Sequence, residues 1–230
     1  MIDLQKCFKS IYSQSGEDGI LLKIFETLNI EKGWFCEFGA GDGNNISNTR
    51  IFREKGWSGV LIEADDDRYN SMMKYKPISE REDVHTFCGF VSCEDGQKLD
   101  DYLGKTPIPS NFELLSIDID GIDLWVWKSL INYKPKVVII EYNSHFEPKE
   151  SYTVPYNKSH RFNHDNYYGA SAGALIKLAS EKKYKLVGNT PGLNLIFVDA
   201  EYAHNFCEID QSKIDRFLVW PHSEKRMVRY

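Results

Sequence analysis

Apolar residues at 20, 21, 24, 25 and 28 recur at helical spacing and predict an amphipathic helix over 18–28. Gly33 ends the connection that follows. The run 34–38 (WFCEF) is short, β-prone and closed by Gly39, the pattern of a buried strand. From there two patterns alternate. Helices are expected over 48–55, 66–75, 97–103, 122–131 and 170–182. Strands are expected over 59–63, within 84–91, and over 112–117 and 136–141. The 66–75 helix opens on acidic residues, which suits its dipole, and stops before Pro77. Such alternation implies right-handed crossovers and a mostly parallel sheet. Two last strands, 184–187 and 193–198, flank the turn sequence GNTPG and should form a hairpin. A terminal helix is expected over 207–218.

Residues 142–168 break the rhythm. They are polar yet rich in rings, and they hold His145, His160 and His164. A loop this long in a compact domain is functional or disordered, and its aromatic content argues against disorder. Tyr152, Tyr156, Tyr167 and Tyr168 suit a substrate lid, or the packing that keeps such a loop ordered. Trp125 and Trp127 read as packing.

Composition narrows the class. The chain has 230 residues, enough for one α/β domain, here with an N-terminal helical extension over 1–32. A net charge of −6 disfavours nucleic acid as a partner. Five cysteines without a CxxC pair suggest reduced thiols and a cytoplasmic protein. The first residues lack an apolar signal region, and the longest aliphatic run, 137–140, is far too short for a bilayer. No membrane partner is expected, and a homodimer is left open.

The chemistry concentrates at strand ends. The segment 37–43 (EFGAGDG) joins a strand to a helix, and glycines there permit a sharp turn and close approach of a ligand to the backbone. A dinucleotide fingerprint needs a third glycine where Asn44 stands. The spacing Gly-x-Gly-x-Gly, with an acid two residues before it, favours S-adenosylmethionine (SAM) over NAD. Glu63 ends the second strand, where a carboxylate can accept both ribose hydroxyls of a nucleoside. Asp118 and Asp120 follow the fourth strand on one side of an extended chain, and Glu141 and Asn143 end the fifth. These groups can hold a cofactor amine, act as a general base or bind a hard cation such as Mg²⁺. Asp123 reads as a helix cap. Among the histidines, His145 lies nearest a strand tip and is the candidate proton acceptor. Near the N-terminus, Ser15 can cap the first helix with Asp18, or Gln14 can reach the carboxylate of SAM.

Together these motifs resemble class I SAM-dependent methyltransferases, and more closely the FkbM-like group. The match runs through SQSGED (13–18), EFGAG (37–41), Asn48-Thr49, GWSGVLIE (56–63), IDIDG (117–121) and PKVVIIE (135–141). The family's fourth-strand motif looks like Ile-Asp-Val-Glu-Gly, so its acid is kept here but shortened. The resemblance implies a Rossmann-like α/β fold: a mostly parallel seven-stranded sheet, antiparallel in its last strand, with helices on both faces. It implies a methyltransferase that O-methylates a sugar or small natural-product-like acceptor. SAM would be held by Gln14, Glu37, Gly39, Ala40, Gly41 and Asn48, by Glu63 and Ala64 at the ribose, and by Gly89 and Phe90 at the adenine. Asp118 would lie near the methyl group, with Asp118 or His145 as the catalytic base. Some relatives hold Mg²⁺ at comparable acids, here Asp118, Glu141 and Asn143, although the usual adjacent pair is split by Tyr142. A scaffold without activity and a nicotinamide-dependent dehydrogenase are the competing readings.

Overall fold

The computed structural model describes residues 1–214 and 227–230. Seven strands form one sheet: β1 (Trp34–Phe38), β2 (Ser58–Glu63), β3 (Val84–Cys88), β4 (Leu114–Ile117), β5 (Val137–Glu141), β7 (Tyr184–Asn189) and β8 (Asn194–Asp199). Their order is β3-β2-β1-β4-β5-β8-β7. All neighbours pair in parallel except β8, which runs antiparallel to both β5 and β7. The 184–198 hairpin is as expected. Two short strands outside this sheet, β6 (Tyr152–Thr153) and β9 (Val228–Arg229), pair with each other.

Strand alternation feeds two cores. Cys36, Phe38, Val138 and Ile140 face one side, where α5 (Leu99–Leu103), α6 (Asp123–Ser129) and α7 (Ala172–Glu181) bring Leu103, Trp127 and Leu178. Phe35, Leu61, Val137 and Ile139 face the other. There α1 (Glu17–Thr27), α2 (Arg50–Glu54), α3 (Asp66–Lys74) and α4 (Lys76–Ser79) bring Ile20, Ile24, Phe52, Met72 and Ile78. Apolar burial on both faces explains why the parallel strands read as near-continuous hydrophobic runs. Trp127 is packing, as expected: it is buried against Tyr184 and Phe197.

Several local expectations fail. Ser15 does not cap α1: Gly16, in left-handed conformation, takes the cap position, and Ser13 Oγ accepts the Asp18 N–H. Asp18 Oδ2 accepts the N–H groups of Ile11, Tyr12 and Ser13, so the carboxylate folds the preceding loop onto the helix. The 66–75 helix stops before Pro77 as expected: α3 ends at Lys74, and Tyr75 is extended. Pro77 lies in the first turn of the separate α4, where its missing N–H costs nothing. The helix expected over 207–218 is absent from 207–214, where a single 3-10 turn covers Gln211–Lys213, and its remainder lies outside the described residues. No described helix is long and apolar enough to cross a membrane.

Candidate active site

The sheet reverses its winding between β1 and β4, and ligands in such folds sit beyond the carboxyl ends of the strands at that point. Gly39, directly after β1, has φ +75°, and a Cβ on it would lie 1.6 Å from the Asp118 carbonyl oxygen. Only glycine lets the two strand tips meet. The N–H groups of Gly39 and Ala40 both donate to Ile62 O at 3.1 Å, which ties the turn to β2. Gly41 follows at φ +57°, and a Cβ there would meet nothing within 4 Å, so this residue borders open space.

Two carboxylates pin the turn. Glu63 accepts the Gly41 N–H at 2.6 Å and the Asp65 N–H at 2.8 Å. Glu37 is buried and accepts Ser47 Oγ at 2.6 Å, Thr49 Oγ1 at 2.7 Å and the Asn48 N–H at 2.9 Å. Burial pushes the Glu37 carboxyl up, and these donors oppose the shift. Asn48, also buried, reaches Ser116 Oγ on β4 through Nδ2 at 3.2 Å.

A cavity of about 160 Å³ opens at the tips of β1 to β4. It brings together six of the predicted residues: Gly39, Glu63, Ala64, Gly89, Phe90 and Asp118. Ala40, Gly41, Glu37 and Asn48 form the turn beneath it rather than its wall, and Gln14 is exposed on the segment before α1. The wall also contains Arg68 from α3, Ile119 and Asp120, and Lys158, His160, Arg161 and Phe162 from the long loop. The motifs used above do not reach these loop residues, because their place depends on how the loop folds back.

Asp118, Asp120 and Glu141 each bring one carboxylate oxygen into a group whose members lie within 4.8 Å of one another. The chain is not extended here. Asp120 has φ +52°, and Asp123 accepts the N–H groups of Ile119 and Gly121, closing a turn that aims both acids inward. Asp123 therefore organises the turn, while Ile122 holds the cap position of α6. Burial, then the neighbouring acids Asp120 and Asp123, hold the Asp118 carboxyl well above its usual range. Glu141 is raised the same way, by burial and then by Asp118. Asp120 is raised by burial, against a hydrogen bond with Glu141 and the charge of Arg68. Asp123 is pushed up to about 6 by burial. The geometry thus groups Asp120 with Asp118 and Glu141. Asn143 is buried and holds the loop, donating from Nδ2 to the carbonyls of Asn166 and Tyr168 and accepting the His145 N–H.

His145 is half-buried, edge-on to Tyr168 with centroids 6.4 Å apart, and is not part of the cavity wall. Burial, then the charge of Glu141, raises the Tyr168 hydroxyl. Tyr152 and Tyr156 do not reach the cavity. Tyr152 packs on Phe146, and Tyr156 donates to Glu94 and accepts from the Cys93 N–H. Trp125 anchors this half of the loop through its indole N–H on Val154 O at 2.7 Å.

No family model matches the chain, and no curated protein matches it in sequence. Solved structures do. The N-terminal domain of EvdMO1 with SAH bound is 9% identical, with a TM-score of 0.52 over 81% of this chain and 82% of that one. The same domain in the presence of SAH and D-fucose gives 9% and 0.51 over 80% and 82%. Magnesium protoporphyrin IX methyltransferase (ChlM) from Synechocystis PCC 6803 with bound SAH gives 11% and 0.49 over 80% and 81%. The likeness is one of fold. The chain has the seven-stranded α/β architecture of the class I methyltransferases, with the reversed strand next to last in the sheet.

Proposed function

We propose that the protein is a SAM-dependent methyltransferase that methylates a hydroxyl of a sugar or small natural-product-like acceptor. One observation carries this reading: three converging carboxylates, Asp118, Asp120 and Glu141, beside a glycine turn and Glu63, with no cation in ion-pair contact with any of the three among the described residues. Half-buried acids in such company favour a positive partner. The sulfonium and ammonium of SAM meet that need, and Glu63 at the next strand tip suits its ribose. When bound, SAM supplies an electrophilic methyl group. The protein's part is to orient the acceptor and to take its proton. A carboxylate with a raised pKa is a stronger base, so Asp118 or Asp120 suits the second task. Holding both reactants at the strand tips supplies much of the rate.

The acids also suit Mg²⁺, with Asp118, Asp120 and Glu141 as ligands and Asn143 already committed to the loop. Methyl transfer unchanged by exhaustive chelation would remove the metal. The carbohydrate reading has support from EvdMO1, which was crystallised with D-fucose. Fold alone does not assign chemistry, so the test is direct. Calorimetry should detect SAM and not NAD, and labelled SAM should pass its methyl to a hydroxyl in an acceptor screen. Absence of binding at millimolar SAM would leave the scaffold reading, and binding of NAD the dehydrogenase. The five cysteines are free, which supports a cytoplasmic location.

A further inference from the structure

We infer that α3 and the long loop build an anion-binding roof over this cleft, and that the acceptor is a phosphorylated sugar whose phosphate lies beneath it. The inference rests on the methyl-transfer reading above.

Three cationic side chains, Arg68, Lys158 and Arg161, line the cavity that holds Glu63 and Asp118. Among the described residues, none of the three lies within 4.0 Å of a carboxylate. Three of the other four described arginines are paired: Arg50 and Arg53 with Glu54, both at 3.6 Å, and Arg81 with Asp83 at 2.6 Å. Arg161 is also oriented. Its guanidinium stacks on Phe90 with Cζ 3.9 Å from the ring centre, and Nη1 donates to His160 O at 2.7 Å, which leaves further donors unused. Between the roof and the acids lies His160. Its ring covers Gly121, and Nε2 is buried with no partner. Burial keeps this imidazole below its usual pKa.

A cationic cofactor gains nothing from three more cations. Its one carboxylate belongs to the methionine part, which the resemblance puts along Gly39 and Gly41, and its adenine, expected at Gly89 and Phe90 beside Arg161, carries no charge for a cation to meet. The anion is therefore on the acceptor. A phosphate carries close to two charges and three acceptor oxygens, enough for a lysine and two arginines. The reacting hydroxyl then lies on Asp118 and Asp120, and the phosphate meets Lys158 and Arg161 on the loop side of the cofactor. Two sources share this chemistry, a sugar monophosphate and a nucleotide-diphosphate sugar.

The test uses the full chain saturated with SAH and titrated with glucose, glucose 1-phosphate and UDP-glucose. One or both phosphorylated compounds should bind at least about tenfold tighter than glucose, and which one does so names the source. The double variant K158A/R161A should erase that preference. Wild-type protein that binds SAH but shows no preference overturns the inference alone. The same holds if the variant loses SAH affinity yet keeps the preference, because the pair would then serve to close the cofactor cleft. Wild-type protein that ignores SAH removes the reading beneath.

Discussion

Glu37 and Asp118 stand at the ends of adjacent strands and live in opposite company. Three donors of the following loop, Ser47, Asn48 and Thr49, satisfy Glu37. Asp118 faces Asp120 and Glu141, two more acids. Both carboxyls are raised by burial, but in Glu37 hydrogen bonds oppose the shift and in Asp118 neighbouring charge adds to it. The difference separates architecture from function. A buried acid with all its bonds made inside the fold holds a loop in place. A half-buried acid among acids is held in an unfavourable state by the surrounding fold, which is where ligands and protons act.

The largest expected effect falls on the satisfied side. Glu37→Ala strands three buried donors and should cost about 3 to 5 kcal/mol in urea denaturation. A loss below about 1 kcal/mol would place Glu37 with the functional acids and break the contrast. Next comes pH. Asp123 titrates near 6 in the fold and near 4 when unfolded, so it contributes stability that is full below about pH 4 and is lost as pH rises through about 6. The SAM-free protein should be less stable at pH 7.5 than at pH 5, by about 1.4 kcal/mol. In Asp123→Asn the inflection near pH 6 should vanish, and if it persists another group owns it.

Asp118→Asn sharpens the comparison, because its two readouts should move oppositely. SAM affinity should fall about tenfold, near 1.4 kcal/mol. The melting temperature of the free protein should rise by about 2–4 °C per kcal/mol of repulsion relieved. A variant that melts lower and binds SAM unchanged would make Asp118 a second Glu37. The smallest effect belongs to Gly41→Ala. Backbone strain at φ +57° costs about 1 kcal/mol, and the new methyl group enters open space. SAM affinity measured by calorimetry should drop several-fold, and an unchanged value would put the ligand away from this turn.

Much of this was legible in the residues. β1 is found over the 34–38 predicted for it, and β2 and β5 match to within one residue, because strands buried on both faces write continuous apolar runs. The acids at the strand tips were legible for the same reason, since each directly ends such a run. What was hidden depends on distant partners. The two-residue β6 pairs with residues 228–229 and bridges to Ala170, partners that its own sequence does not announce. Asp120 joins Asp118 through a left-handed turn closed by Asp123, not through an extended strand. The basic side chains at 158 and 161 reach the cavity because Trp125 and Asn143 anchor the rest of the loop, and no periodicity records that.

The contact between Gly39 and the Asp118 carbonyl carries a last consequence. With 1.6 Å between a would-be Cβ and that oxygen, the floor of the cleft admits almost no variation. Residues 158–162 are under no such restriction: they meet the floor through side chains, among them the His160 ring over Gly121. Descendants of this chain can therefore change diet without relearning how to hold a cofactor. Grafting a loop from another member of the fold between the ends of β5 and α7 is the laboratory version of that history.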